Sequence, residues 1–349
     1  VRDALLALLG TELPIVQAPM AGVQGSALAV AASEAGALGS LPAAMLSPEA
    51  LRAELGALSA GTRRPWNVNF FCHVPPAPDP AREEAWRRAL APYYAELGLS
   101  QAPSAAPSRQ PFGAELADLV EPFRPGVVSF HFGLPAPDLL ARVKGWGSVV
   151  LSSATTVEEA RWLEAHGADA VIAQGLEAGG HRGHFLSDDL TRQLGLAALV
   201  PQVVAAVRVP VIAAGGIAGP AGVRAALALG AAGVQVGTSF MLCPEATTGA
   251  VHRAALASEA ARHTALTNLF SGRPARGIVN RLMRELGPLA ALPPAFPLAS
   301  GALLPLRAAA EKLGRGDFSP LWAGQDATGC RPVPAAEVVR ALAEGLRAG

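Results

Sequence analysis

Along the first two-thirds of the chain, short apolar runs alternate with longer stretches whose apolar positions recur at helical spacing. Brief, nearly continuous apolar runs bounded by glycine, proline and small polar residues read as strands buried on both faces, the mark of a parallel sheet. Eight such runs lie at 15–19, 37–41, 66–70, 127–132, 148–152, 170–173, 211–214 and 234–237. Helical patterns stand between them. The stretch 156–166 sets Val157, Ala160 and Leu163 on one side and opens with Thr155-Thr156 and Glu158-Glu159, hydroxyls and carboxylates that suit a helix N-terminus. A second pattern covers 220–229. Eight strand–helix units predict an α/β fold, a (β/α)8 TIM barrel with its chemistry at the C-terminal strand ends. An open doubly wound sheet would carry its glycine fingerprint in the first turn. Here the glycines cluster after the later strands, which favours the barrel.

Two segments break that rhythm. Residues 75–125 are rich in proline, with a helical patch at 82–94 and a loop-like stretch at 101–111, and read as an insertion after the third strand. Beyond about residue 246 the strand signals stop: 251–261 and 276–286 read as helices, followed by a Pro/Ala-rich 291–297 and two more helical stretches. The expected organisation is a barrel over 1–245 carrying the insertion, and a mainly helical lobe over 246–349 covering the active-site face.

Composition removes several classes of function. With 349 residues the chain can bury a large core, and 28 basic residues balance 28 acidic ones, so nothing points to a polyanionic partner. Arginine supplies nearly all of the basic charge. The absence of a basic stripe and an aromatic content of 5% argue against nucleic-acid binding. Cys72, Cys243 and Cys330 have neither metal-ligand spacing nor a disulfide framework, as in a reducing cytosol. Arg2, Asp3 and Glu12 do not resemble a signal peptide. The charge-free stretch 225–244 is long enough for a membrane span, but Gly230-Ala231-Ala232-Gly233 splits it into a helix end and a strand. A soluble, cytoplasmic protein without a membrane partner is expected, as a monomer or homodimer.

The candidate chemistry sits at the strand ends. Gln17-Ala18-Pro19-Met20 closes the first strand with small residues against which a flat ring could lie. Asn69 offers an amide after the third strand, and Ser129-Phe130-His131-Phe132-Gly133 brings an imidazole to the mouth after the fourth. The sixth strand leads into Gln174, then Gly179-Gly180-His181-Arg182-Gly183. There, glycines let backbone N–H groups approach a bound anion beside an acid/base-capable histidine. Gly215-Gly216 follows the seventh strand and Gln235-Val236-Gly237-Thr238-Ser239 the eighth, the two loops that form the usual phosphate site of such barrels. They suit the phosphate of a mononucleotide. Arg182 reads equally as an anion ligand or a solvated surface residue, and Glu177 chiefly as a turn-fixing group. Asp188-Asp189 reads as a helix-start pair, while His166, His184, His252 and His263 read as solvated. Without metal spacing, a Gly-x-Ser-x-Gly elbow or a Gly-x-x-x-x-Gly-Lys loop, an organic cofactor must carry the hard chemistry.

Taken together, Gln17–Met20, Asn67–Phe71, Ser129–Gly133, Gln174–Gly183 and Gln235–Thr238 resemble the nitronate monooxygenase (2-nitropropane dioxygenase) family over residues 13–285. The Ser-Phe-His-Phe-Gly and Glu-Ala-Gly-Gly-His-Arg-Gly elements look like its class I branch. The resemblance implies an FMN-containing barrel. It implies flavin contacts at Asn69, Gln174, Gly179, Gly216 and Gln235 through Thr238, joined by Gly180 and Gly215, with Ala18, Pro19 and Met20 beside the isoalloxazine. His181 matches the active-site histidine, and His131 joins it as a catalytic candidate. The implied reaction takes an alkyl nitronate, propionate 3-nitronate foremost, or a nitroalkane, and O2, to a carbonyl compound and nitrite.

One departure stands out. The class I pattern brings tyrosines into the substrate pocket, whereas this chain has only Tyr93 and Tyr94, both in the insertion, and 296–301 carries none. A more apolar pocket is expected. The competing enzyme reading is an NAD(P)H-dependent FMN reductase of the same superfamily, acting on a quinone or enoyl thioester. A third reading is a flavin-binding barrel without catalysis.

Overall fold

The structure is a computed structural model describing residues 2–101 and 109–347. Of the expected loop at 101–111, residues 102–108 lie outside the described residues.

Eight parallel strands close into a barrel: β1 (Ile15–Gln17), β2 (Gly39–Pro42), β3 (Trp66–Phe71), β4 (Val127–His131), β5 (Val149–Ala154), β6 (Ala170–Gln174), β8 (Val211–Ala214) and β9 (Gly233–Val236). The remaining strands are β7 (Gly180–His181), β10 (Thr264–Thr267) and β11 (Ala275–Ile278). Barrel order runs β1-β9-β8-β6-β5-β4-β3-β2. The ring closes where the Gln17 N–H donates to the Leu38 carbonyl at 2.9 Å and the Leu38 N–H to the Ile15 carbonyl at 2.8 Å. Every expected barrel strand is present, with ends shifted by one or two residues.

Alternation along the strands builds two cores. On β6, Val171 and Ala173 join the layer beneath the helices, with Leu199, Val200 and Val203, while Ala170 and Ile172 join an interior cluster with Val16, Leu38, Leu151 and Ile212. Leu5 and Leu9 of the helix Arg2–Leu9 belong to that interior cluster and stopper the barrel floor. Higher up, the interior turns polar. The Asn67 amide donates to the hydroxyls of Ser40 and Ser129, each at 2.9 Å, and the Asn69 amide to the Ser129 hydroxyl at 2.9 Å. Buried amides persist only when paired, so this ladder marks where the apolar floor ends and the mouth begins.

The segment after residue 246 is mainly helical, as expected, but it also carries two short strands that the sequence reading did not include. β10 and β11 pair antiparallel, and β11 then pairs with β7, setting Ala275 opposite His181 and Arg276 opposite Gly180. The expected helix at 276–286 is confined to Arg281–Leu286, with the Asn280 side chain capping it by accepting from the Met283 N–H at 3.3 Å. The expected helix at 251–261 stops at Leu256 and resumes as a short 3-10 turn, Glu259–Arg262. Strands of four residues, one containing both Arg276 and Gly277, carry too little alternation to register as strands; pairing with each other and, for β11, with the distant β7 makes them so.

The insertion helix Pro80–Glu96, capped by Asp79, packs on the C-terminal region. Trp86 Nε1 donates to the Ala299 carbonyl at 3.1 Å and the Tyr94 hydroxyl to the Ala302 carbonyl at 2.7 Å. No helix among the described residues is long and apolar enough to cross a membrane.

Candidate active site

A cavity of about 1380 Å³, counted to its open mouth, lies at the C-terminal ends of the barrel strands. Every site residue expected from the sequence lines it. Ala18, Pro19 and Met20 follow β1; Asn69 and His131 sit on β3 and β4; Gln174, Gly179, Gly180 and His181 follow from β6; Gly215 and Gly216 follow β8; Gln235, Val236, Gly237 and Thr238 end β9. Trp322, Ala323 and Gly324 reach over from the C-terminal region.

The turn carrying His181 is held from three sides. First, the Gln174 side chain spans it: Nε2 donates to the His181 carbonyl at 3.0 Å, and Oε1 accepts from the Gly183 N–H at 2.8 Å. Secondly, Arg182 is fully buried rather than solvated. Its guanidinium donates to Gln193 Oε1 at 2.7 Å and to the carbonyls of Gly175 and Gln174 at 2.6 and 2.9 Å. Arg182 thus stitches the turn to the strand end and takes no ligand. Thirdly, β7 joins the lobe sheet through β11. Glu177 is structural too, both carboxylate oxygens accepting from the Leu196 N–H at the start of the helix Leu196–Ala206.

His131 lies beneath this turn. Its Nε2 is 3.1 Å from the His181 carbonyl and its Nδ1 3.1 Å from the Ser153 hydroxyl. Burial pushes its pKa down to about 3, with Arg273, Arg182 and His184 adding repulsion against the hydrogen bond to His181. The next residue, Phe132, is left-handed at φ 70°, an outlier for a bulky side chain. The Arg273 guanidinium lies 4.2 Å from the centroid of its ring.

The His181 ring faces the cavity among aromatic neighbours, with ring centroids 5.3 Å from Phe296, 5.6 Å from Trp322 and 6.2 Å from Phe71. Its Nε2 lies 2.8 Å from the Ser271 hydroxyl, and Nδ1 has no hydrogen-bond partner among the described residues. Desolvation holds its pKa well below the ordinary histidine value, and the charges of Arg109 and Arg273 act in the same direction. The ring is therefore neutral at physiological pH.

Other expectations are corrected. His184 and His252 are buried, the latter with Nε2 3.0 Å from the Trp322 carbonyl. His166 and His263 are exposed as expected. Asp189 caps a short 3-10 turn, accepting from the Thr191 N–H at 2.9 Å. Tyr93 and Tyr94 belong to the cluster joining the insertion to the C-terminal region, so neither tyrosine lines the cavity. Sequence reasoning missed Arg109, Trp322 and Phe296: an arginine in a loop and aromatics far along the chain carry no local motif.

The upper cavity fits a flat, phosphorylated cofactor. Gln235 Oε1 is buried without a partner, an acceptor left for a ligand donor. Gly180, at φ 73°, would project a Cβ into open space. At Gly237 a Cβ would stand 3.3 Å from the Ala18 Cβ and 3.4 Å from Met20 Sδ, so the wall there stays flat because position 237 lacks a side chain. Gly179 serves packing instead, since a Cβ would meet the Ala323–Gly324 peptide at 2.5 Å. The Thr238 hydroxyl accepts from the Gly324 N–H at 3.0 Å.

The family model for nitronate monooxygenase matches residues 2–345. A nitronate monooxygenase of Pseudomonas aeruginosa is 45% identical over 354 residues, covering 99% of each chain. One from Paraburkholderia phytofirmans is 44% identical, covering 99% of this chain and 95% of its own. The crystal structure of a nitroalkane oxidase from Streptomyces ansochromogenes superposes with a TM-score of 0.89 at 41% identity, covering 98% of this chain and 97% of that one.

Proposed function

The chain belongs to the nitronate monooxygenase family, and from that premise we propose that it binds FMN in this cavity and oxidises alkyl nitronates with O2 to a carbonyl compound and nitrite. Propionate 3-nitronate heads the candidate substrates. The observation that carries the reading is the convergence of a cavity-facing neutral His181, a partnerless Gln235 carbonyl and the two glycine-bearing loops after β8 and β9 on one space.

Gly215, Gly216, Gly237 and Thr238 would hold the phosphate, where missing side chains let peptide N–H groups come close. Ala18, Pro19 and Met20 would lie along the ring system, with Asn69 and Gln235 offering polar edges. FMN, when bound, supplies one-electron redox chemistry that no side chain in the cavity provides. His181 orients the substrate over that ring: a neutral imidazole hydrogen-bonds a nitronate oxygen without a strong ion pair that would hold the anion in its ground state. Its unpartnered Nδ1 is also positioned to accept a carbon-bound proton from a neutral nitroalkane when Nε2 carries the ring proton. Phe71, Phe296 and Trp322 exclude water from that contact. His131 and Gln174 hold the His181 backbone.

The test is to release and identify the bound flavin, then follow oxygen uptake and nitrite formation with propionate 3-nitronate. Stoichiometric FMN with nitrite released at turnover rates is the expected result. A bound flavin that ignores nitronates and is bleached rapidly by NADH would replace this reading with the reductase.

A further inference from the structure

Arg109 is the only permanently cationic side chain lining the cavity among the described residues. The other buried guanidinium groups near the site donate to the protein: Arg182 to two carbonyls and an amide, Arg276 to the Leu176 carbonyl and the Thr264 hydroxyl, and Arg273, whose Nε is unpartnered, to the His184 carbonyl through Nη2. Arg109 differs. Its Nε is likewise buried without a partner, and its guanidinium has neither an ion pair nor a hydrogen-bond acceptor among the described residues. Burial lowers its pKa, with no carboxylate acting against it. Leaving a planar five-donor cation unmatched in a partly desolvated wall is unfavourable unless an anion completes it.

Its position relative to His181 says which anion. The Arg109 Cζ lies 5.4 Å from the Phe296 ring centroid, and the His181 ring lies 5.3 Å from that same centroid. Arg109 and His181 therefore line one cavity and border the same aromatic side chain. The other charged group on the wall, Asp326, accepts from the Thr328 N–H and lines the cavity near Gly324 and Thr238.

We propose that Arg109 binds a second anionic group of the substrate, a carboxylate two carbons from the nitronate carbon, and so selects carboxylated nitronates over alkyl ones. The inference rests on the nitronate reading and deepens it. Bidentate pairing with a carboxylate uses the two terminal nitrogens of the guanidinium. Arg109 here takes up the polar anchoring expected of tyrosines, in a pocket that no tyrosine lines.

The experiment compares propionate 3-nitronate with 3-methylbutyl nitronate, in which an isopropyl group replaces the carboxylate, on the FMN-loaded enzyme and its Arg109→Met and Arg109→Lys variants. In Arg109→Met, kcat/KM for the carboxylated substrate should fall about 10- to 100-fold, mostly through KM. The isopropyl substrate should stay within about twofold, and Arg109→Lys should recover part of the loss. Equal losses on both substrates would assign Arg109 to the nitronate group and overturn the proposal, as would no loss on either. Calorimetric titration with succinate, an unreactive dianion, separates the two readings. Arg109-dependent succinate binding by an enzyme that turns over neither nitronate would keep the anion site and discard the nitronate reaction. Succinate binding unchanged in both variants would overturn the anion site. Circular dichroism of each variant identifies a folding failure, and Arg109→Lys, which keeps the charge and the aliphatic stem, carries the test if Arg109→Met does not fold.

Discussion

The His131 ring lies beneath the backbone of His181, its Nε2 3.1 Å from the His181 carbonyl oxygen. A carbonyl only accepts, so Nε2 carries the proton, and in the neutral ring Nδ1 then accepts from the Ser153 hydroxyl, 3.1 Å away. Both nitrogens are committed to protein partners. We propose on this ground that His131 is a positioning residue. His131→Gln, whose Nε2 can replace the histidine Nε2, should retain most activity, while His131→Ala should lose about tenfold in kcat/KM as the carbonyl loses a donor. Since the His131 pKa lies near 3, neither variant should move the acid limb of the pH–rate profile. A shifted limb in His131→Gln would return His131 to proton transfer.

His181 should behave differently. Replacing it with Asn removes a cavity-lining ring whose Nδ1 has no hydrogen-bond partner among the described residues. Flavin content should be unchanged, because the phosphate and ring contacts proposed above lie on other loops and the substitution leaves the neighbouring Gly180 in place. Activity on neutral nitroalkanes should fall about 10²- to 10⁴-fold, the range of general-base contributions, and activity on preformed nitronates much less. Steady-state kinetics on matched neutral and deprotonated substrates checks this. Equal losses would make His181 a binding group only.

Gly183 has a purely steric reason to be glycine. Its φ is not left-handed, but a Cβ there would stand 2.7 Å from His131 Cε1 and 3.0 Å from the Ser153 Cβ. Its N–H also donates to the Gln174 clasp. Gly183→Ala should therefore push His131 off the His181 carbonyl, costing about 1–3 kcal/mol of stability as in other overpacked sites, together with an activity loss comparable to His131→Ala. Thermal unfolding and kcat/KM measured on the same preparation test both halves. An unperturbed Gly183→Ala would mean that the contact between turn and ring is loose.

The barrel was legible in the sequence because each βα unit is local: a short apolar run, a glycine or proline boundary, an amphipathic helix. The site was legible for a related reason, since strand ends converge in any such barrel. His181 could be singled out, but its pairing with Ala275 across the lobe sheet could not. That contact joins residues far apart through strands of two and four residues that have no period of their own. Arg182 was misjudged because an arginine between glycines looks exposed, and only the fold supplies the two carbonyls and the amide that bury it. Arg109 stood in a proline-rich loop with nothing beside it in sequence to suggest a cavity.

Buried neutral histidines give the protein a specific weakness to acid. Desolvation lowers the pKa values of His73, His184 and His252 to about 4 and of His131 to about 3, and pushes His181 well below its ordinary value. Above a pH of about 6.5 these side chains are neutral in both folded and unfolded chains and contribute no pH dependence. Below it the unfolded chain binds protons that the folded chain refuses, so stability falls with falling pH. The fall continues until the folded-state pKa values are reached near pH 4. Each histidine contributes at most about 1.4 kcal/mol per pH unit in that window. The melting temperature should thus drop steeply between about pH 6.5 and 5, before most carboxylates titrate. His252→Gln keeps the donor facing the Trp322 carbonyl, 3.0 Å from His252 Nε2, yet removes one titrating group. It should flatten the dependence while leaving stability at neutral pH nearly unchanged. A slope identical to that of the parent would show that His252 is protonated as readily in the folded protein as in the unfolded chain.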